Sequence, residues 1–329
     1  MSIPATMRAL RQDSLRGPQD MRLITDAPVP NPGRCEVLVR VTAAGVNFAD
    51  LSKSHGVFRD GPRPPYLAGF EAAGEVVALG EAVTGPVPGT RVAGIGEGAF
   101  AEYLVLPAAS AVPVPAGWTA QQALGLLVNW PTALAALKLG RLEAGQTMLI
   151  PAAAGATGQA AVILAKHYGA RVIGTASPAK HATVRGLGAD HVLDSRATDL
   201  AAEVLRLTDS AGADLVLESA GGSAFEASLA AAKRVTGRVV VYGLAGGEAP
   251  ITNWELVYKH QVHLIGLNIG VLIQAAPQLF GELMGELFAL IAAGVVAPGA
   301  STAYDLADGP KVLAELEARA TVGKLALLP

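Results

Sequence analysis

Residues 152–158 read AAAGATG, seven positions with almost no side chain. A segment this bare cannot build an acid–base site, but it can let another molecule come close to the backbone. The run lies between an apolar TMLI at 147–150 and a helical QAAVILAKHYG at 159–169. Strand, glycine-rich turn, helix is the context in which a G-x-G-x-x-G fingerprint binds a dinucleotide. The register here is Ala153-x-Gly155-x-x-Gly158, with alanine at the first glycine position. Gly155 would let the backbone approach a pyrophosphate, and Gly158 would let the helix pack close to the strand. Ala154, Ala156 and Thr157 complete the loop, and the free N–H groups of the helix start suit an anion.

The second strand decides which dinucleotide. An NAD site places Asp or Glu at its end, roughly 20 residues past the first glycine position. That place reads GTASPAKH, Gly174 to His181, and holds no acid. Gly174 and Thr175 belong to the strand, Ser177 can donate a hydrogen bond, and Lys180 carries a positive charge. A carboxylate would repel a 2′-phosphate and a lysine attracts it, so NADPH is favoured. The competing reading makes Lys180 a solvated residue at a helix start.

These residues need a scaffold. The chain has 329 residues, enough for two cores. It is 51% hydrophobic with 38 glycines, a globular composition. A net charge of −3 gives no reason to expect nucleic acid or a membrane surface as partner. No apolar run approaches membrane-spanning length, the N-terminal MSIPATMRALRQ carries no signal core, and a cytoplasmic protein is expected. The single cysteine, Cys35, excludes an internal disulfide and is expected as a small core residue.

Up to about residue 125, short β-type runs broken by Gly and Pro suggest an antiparallel, barrel-like domain. TAQQALGLLVNWPTALAAL then reads as helical, with a break at Pro131. From about 145, strands and helices alternate as in a doubly wound parallel sheet, ending with VHLIGLNIG. The expected division is 1–125 barrel-like, 126–270 dinucleotide-binding, and 271–329 returning to the first domain. The apolar last strand is expected at a sheet edge, where it would pair with a second subunit in a homodimer.

The chain resembles the medium-chain dehydrogenase/reductase superfamily in its zinc-free quinone oxidoreductase branch. The stretches carrying the resemblance include AGVNFAD, GFEAAGEVVALG, LLVNWPTAL, PAAAGATGQAAVILAK, GTASPAKH, GADLVLESAGG, GRVVVYG and TVGKLALLP. Some are also similar to vesicle amine transport protein homologues, and others to enoyl reductase domains of polyketide synthases. The implied fold is α/β: a Rossmann-type doubly wound parallel sheet plus a GroES-like, mainly β catalytic domain.

Zinc-dependent relatives show G-x-C-x-x-D and G-H-E-x-x-G. This chain reads Gly45-Val46-Asn47-Phe48-Ala49-Asp50 and Gly69-Phe70-Glu71-Ala72-Ala73-Gly74. Asn47 and Phe70 stand where the two metal ligands would be, and the third ligand region, near Asn129, has no cysteine. His260 and His263 lead into a strand with no companion ligand, so no metal is expected. Without a Lewis acid, hydride transfer from NADPH suits acceptors that delocalise charge, namely quinones and α,β-unsaturated carbonyls. A cofactor-binding protein with little turnover is a third reading.

Position in the family implies further contacts. Asn47, Asn129 and Thr132 would stand near the nicotinamide. Ser195, Ser219, Gly221, Tyr242, Gly243 and Asn268 would lie at the carboxyl edge of the sheet, and Lys324 would return from the tail to the cleft. Catalytic candidates are Asn47, Asp50 and Tyr66. Against these, Asn47 could bond turn backbone, Asp50 could order a loop, and Tyr66, in the proline-rich GPRPPY, could pack at the surface. Ser52 and Phe58 stand where many quinone reductases carry tyrosines, which points to a more apolar pocket.

Overall fold

The computed structural model describes residues 3–196 and 199–329. It divides into two compact units, Met1–Leu127 with Pro298–Pro329, and Val128–Ala297.

In the first unit, β1 (Thr6–Gln12) and β2 (Met21–Pro28) pair antiparallel. β3 (Glu36–Val46) runs directly into helix α1 (Phe48–Ser54). β4 (Tyr66–Leu67) adds to β1. β5 (Glu71–Leu79), β6 (Arg91–Ile95), β7 (Tyr103–Pro107) and β8 (Val112–Pro113) follow. β3 is the hub of the larger sheet, antiparallel to β5 on one side and to β7 over its first half. Its Val37, Val39, Val41 and Val46 are buried with Phe100, Leu104 and Leu106 in one apolar core. Each such side chain contributes about 1.5–3 kcal/mol on burial.

The second unit opens with α2 (Asn129–Leu139) and then alternates: β9 (Thr147–Ile150), α3 (Ala156–His167), β10 (Arg171–Ala176), α4 (His181–Gly186), β11 (His191–Asp194), α5 (Leu200–Leu207), β12 (Leu215–Glu218), α6 (Gly222–Ala231), β13 (Arg238–Val241) and β14 (His263–Gly266). All six strands are parallel, in the order β11-β10-β9-β12-β13-β14. Counted within the unit this is 3-2-1-4-5-6, the Rossmann order, with its switch point between β9 and β12. Burial on both faces explains the continuous apolar runs: Met148, Leu149 and Ile150 of β9 are inaccessible to solvent. Helices α7 (Ile269–Ala275) and α8 (Pro277–Ala292) close the unit. The chain then re-enters the first unit through β15 (Ser301–Asp305), α9 (Gly309–Glu317) and β16 (Lys324–Leu328), with β16 antiparallel to the end of β3.

Three expectations change. The return to the first unit starts at residue 298 and not at 271, because α8 belongs to the second unit. Lys138 of α2 forms an ion pair with Glu286 of α8 at 2.8 Å, and the Tyr168 hydroxyl donates to the same carboxylate. Pro131 does not break α2. It lies in the first turn, where a missing N–H costs nothing, and the irregular stretch lies upstream. Cys35 is exposed, in a left-handed turn (φ 61°) before β3.

Candidate functional site

The parallel strands of the second unit all end at one edge, and the cofactor candidates lie along it. The 151–155 loop follows β9. Gly174 and Thr175 end β10, with Ser177 and Lys180 just beyond. Ser195 follows β11, Ser219 and Gly221 follow β12, Tyr242 and Gly243 follow β13, and Asn268 follows β14.

The two fingerprint glycines are glycine for different reasons. A methyl group at Gly158 would lie 2.4 Å from the Ala152 carbonyl oxygen and 2.8 Å from Ala153 Cα, so helix and loop can meet only if it is absent. At Gly155 the backbone is ordinary (φ −78°, ψ 167°), and the nearest atom to such a methyl is 3.4 Å away. Nothing inside the protein demands glycine there. The space is open to a group from outside, and a diphosphate on the N-terminus of α3 is one that would fit. Ala153 and Ala154 are buried, and the Ala153 N–H is held by the Thr175 carbonyl at 2.9 Å, which ties the loop to β10. Ala156 and Thr157 open α3.

Asn129 is buried and donates through Nδ2 to Thr157 Oγ1 at 3.0 Å. Its Oδ1 is buried with no hydrogen-bond partner among the described residues. A buried acceptor left open is costly unless a ligand donor meets it. Thr132 is buried and turns its hydroxyl back to the Val128 carbonyl.

Partial burial, and then the charge of Arg196, lower the pKa of Lys180. Two cations held near each other, past the ends of β10 and β11, suit a phosphate dianion. Arg196 was not singled out from the sequence, although it follows Ser195 directly. Glu218, also missed, organises the next loop. Its Oε1 accepts from the Ala220 and Gly221 N–H groups, both at 2.7 Å, and its other oxygen accepts from the Ser228 hydroxyl. Burial, more than the hydrogen bond to Ser219 opposes it, pushes the Tyr242 phenol up to about 12. Asn268 caps α7 by accepting from the Val271 N–H at 3.1 Å. These residues and the bare loop fit NADPH.

The first unit holds a second concentration of polar side chains, all buried. Lys324 Nζ donates to Glu71 Oε2 at 2.6 Å, Asn47 Oδ1 at 2.8 Å and the Val46 carbonyl at 3.3 Å. Asn47 Nδ2 donates to Glu71 Oε2 at 2.9 Å and to the Gly45 carbonyl at 3.3 Å. Glu71 Oε1 accepts from the Gly125 N–H at 2.5 Å. Both Asn47 and Lys324 therefore commit every donor to protein atoms. The structure places Lys324 as a buttress of Asn47, where the sequence suggested a cofactor contact.

Asp50 accepts from the Asn47 N–H through Oδ2 at 2.8 Å, half of a capping box for α1. Its Oδ1 is buried and without a hydrogen-bond partner among the described residues. Burial raises its pKa to about 7, against the opposing pull of the Asn47 N–H, Lys53 and Lys324. Tyr66, half-buried on β4, is pushed up to about 12 by burial and by the charges of Asp50 and Glu97. Asn47, Asp50 and Tyr66 thus belong to one neighbourhood, together with Glu71, Lys324 and Lys53. The buried Lys53 pairs with Glu97 at 2.8 Å and lies over the Phe70 ring.

Two family models match this chain: a zinc-binding dehydrogenase model over residues 156–285 and an alcohol dehydrogenase GroES-like domain model over 33–116. The quinone oxidoreductase-like protein 2 homolog of Nematostella vectensis is 36% identical over 256 residues, 77% of this chain and 70% of that protein. A mycobacterial protein complexed with NADPH is 32% identical, with a TM-score of 0.91, over 98% of this chain and all of that one. This chain belongs to the zinc-free quinone oxidoreductase branch of the medium-chain dehydrogenase/reductase superfamily. Prostaglandin reductase-3 of Bos taurus is 40% identical over 252 residues, 75% of this chain and 66% of that protein. Zinc does not fit this member: Asn47 and Phe70 hold the ligand positions, and among the described residues no three His, Cys, Asp or Glu side chains gather as a metal site.

The glycines give a paired test. Gly155→Ala should cost less than about 1 kcal/mol of stability yet weaken NADPH binding at least tenfold by calorimetry. Gly158→Ala should cost about 1–3 kcal/mol through steric overpacking, seen in thermal melts without any ligand. Equal stability losses would refute the distinction.

Asp50 gives a pH test. Its proton is held more tightly in the folded protein, at about 7 against 3.8. Its stabilising contribution is therefore complete below the lower value and is lost as pH rises through the higher one. Wild type should lose stability relative to Asp50→Asn between about pH 4 and 7, on the order of a few kcal/mol in all, and level off above. Denaturant titrations at each pH check this, and a pH-independent difference would sink the buried-carboxyl account.

Proposed function

We propose that this chain, an NADPH-dependent oxidoreductase, reduces quinones without a metal ion. The observation that carries the reading is the replacement at the metal position. By motif an amide and a phenyl ring, Asn47 and Phe70, take the two ligand positions, and the donors of Lys324 beside Asn47 are all committed to protein oxygens, so nothing there is built to polarise a simple ketone as a bound zinc would. The acceptor must spread the incoming charge over its own conjugated system.

The α3 N-terminus and the 153–158 loop would take the diphosphate, and Lys180 with Arg196 the 2′-phosphate. Asn129 Oδ1 would accept a ligand N–H. Bound there, NADPH supplies hydride. The quinone gains that hydride and one proton, becoming a hydroquinone. Tyr66, whose raised pKa keeps it a neutral phenol, would donate a hydrogen bond to the developing oxyanion. Asp50, titrating near neutrality, would supply the proton. The 40% identity to a prostaglandin reductase favours a second reading, in which related enones are the acceptors and the proton goes to carbon.

A panel of quinones and enones with NADPH tests both. Quinone turnover supports the first reading, strict enone reduction the second, and oxidation with neither overturns both. Lys180→Ala should raise KM for NADPH at least tenfold while leaving KM for NADH nearly unchanged. Equal effects would remove the phosphate role.

A homodimer belongs to the same proposal. Among the described residues β14 is the last strand at its end of the sheet, and Trp254, Val257, Tyr258 and Val271 on flanking segments are exposed apolar side chains. A two-fold pairing of edge strands would cover them. Light scattering should give twice the chain mass, and Trp254→Glu with Tyr258→Glu should halve it. A monomeric wild type would refute the pairing.

A further inference from the structure

In the first unit a lysine ammonium stands against Asn47 and Glu71, two residues of the segments that carry the metal motifs in zinc-dependent relatives. Around Lys324 Nζ stand three oxygens: Glu71 Oε2 at 2.6 Å, Asn47 Oδ1 at 2.8 Å and the Val46 carbonyl at 3.3 Å. Asn47 occupies the first metal-ligand position of the zinc relatives, and Glu71 follows the second. The backbone is shaped for this arrangement. A methyl group at Gly45 would lie 2.5 Å from Glu71 Oε2 and 3.0 Å from Lys324 Cε. The Asp50 carboxyl also feels the Lys324 charge.

We propose that the Lys324 ammonium is a resident cation. It fills an oxygen cage that would otherwise bind a divalent ion, fixes the Asn47 amide in one orientation, and so keeps divalent metal out of the catalytic unit. The donor set is one carboxylate, one amide carbonyl and one peptide carbonyl. These are hard oxygens suited to Mn2+ or Mg2+ and lack the thiolate and imidazole that zinc prefers. The lysine delivers its charge from the C-terminal strand β16, so the cation is bound covalently to the fold and cannot exchange.

The test is to remove the ammonium and offer a metal. Lys324→Ala empties the cage, and Lys324→Met fills it without charge. Each is titrated with MnCl2 by calorimetry and by electron paramagnetic resonance of free Mn2+, and melted with and without the ion. Lys324→Ala should take up about one Mn2+ per chain and rise in melting temperature when it does. Wild type and Lys324→Met should do neither, and adding Asn47→Ala to Lys324→Ala should weaken Mn2+ binding at least tenfold. The proposal is overturned if Lys324→Ala gains no Mn2+ binding, including the case of a variant that stays unfolded with the ion present. It is equally overturned if wild type or Lys324→Met binds Mn2+ as tightly, or if Asn47→Ala makes no difference. None of these readings involves hydride transfer, so their failure is separate from failure of the proposed activity.

Discussion

A lysine ammonium and a glutamate carboxylate, 2.6 Å apart and almost fully withdrawn from water, are the constraint on which the first unit turns. Burying either ion alone costs several kcal/mol, and their attraction repays this only when every remaining lone pair and proton is used. Here they are. Glu71 accepts from Lys324, Asn47 and the Gly125 N–H, while Lys324 reaches two further oxygens. Because the partners sit on β16, on β5 and at the junction of β3 with α1, the pair joins segments at the two ends of the sequence. β16 pairs Leu325 with Val46, one step from the network, so backbone register and side-chain charge specify the same alignment.

The second unit solves the opposite problem. Where the first fills its polar site with its own side chains, the second keeps the end of β9 bare and places donors around a space. Gly158 is required by internal packing, whereas Gly155 has room beside it. Glu218 holds two backbone N–H groups of the next loop, which fixes that loop without projecting charge past it. The positive side chains lie beyond β10 and β11, at the far end from β14. The edge thus carries neutral backbone donors after β9 and cations past β10 and β11.

Most of the fold could be read in the sequence because its signals are local. The alternation of apolar runs with helical segments gave the six parallel strands, and glycine spacing gave the loop after β9. The exceptions follow from physics that spacing does not carry. Pro131 looked like a helix break, but proline in a first turn displaces no hydrogen bond. Helices α7 and α8 looked like part of the returning tail, because nothing in their composition says that Glu286 will meet Lys138 and Tyr168. Cys35 looked like a small core residue, yet it lies exposed in the turn before the strand. For the candidate site, the motifs pointed to the loop after β9 and to Asn47 and Asp50, while nothing local marked Glu71 or Arg196. Their roles come from partners that tertiary folding brings near, Lys324 at 253 positions' separation and Lys180 from another strand end.

Asp50 shows how one side chain meets two opposing influences. As a helix cap it needs a single oxygen, and Oδ2 meets the Asn47 N–H. Capping would favour the ionised form, whereas burial favours the neutral one, and burial is the larger influence. The result is a carboxyl group that can hold a proton near neutral pH on an oxygen the fold does not use. The neighbouring cations, Lys53 and Lys324, pull against the burial. Removing the Lys324 charge would therefore raise the proton affinity of Asp50 further, so the ion pair that ties the two ends of the sequence together also acts on the carboxyl that caps α1.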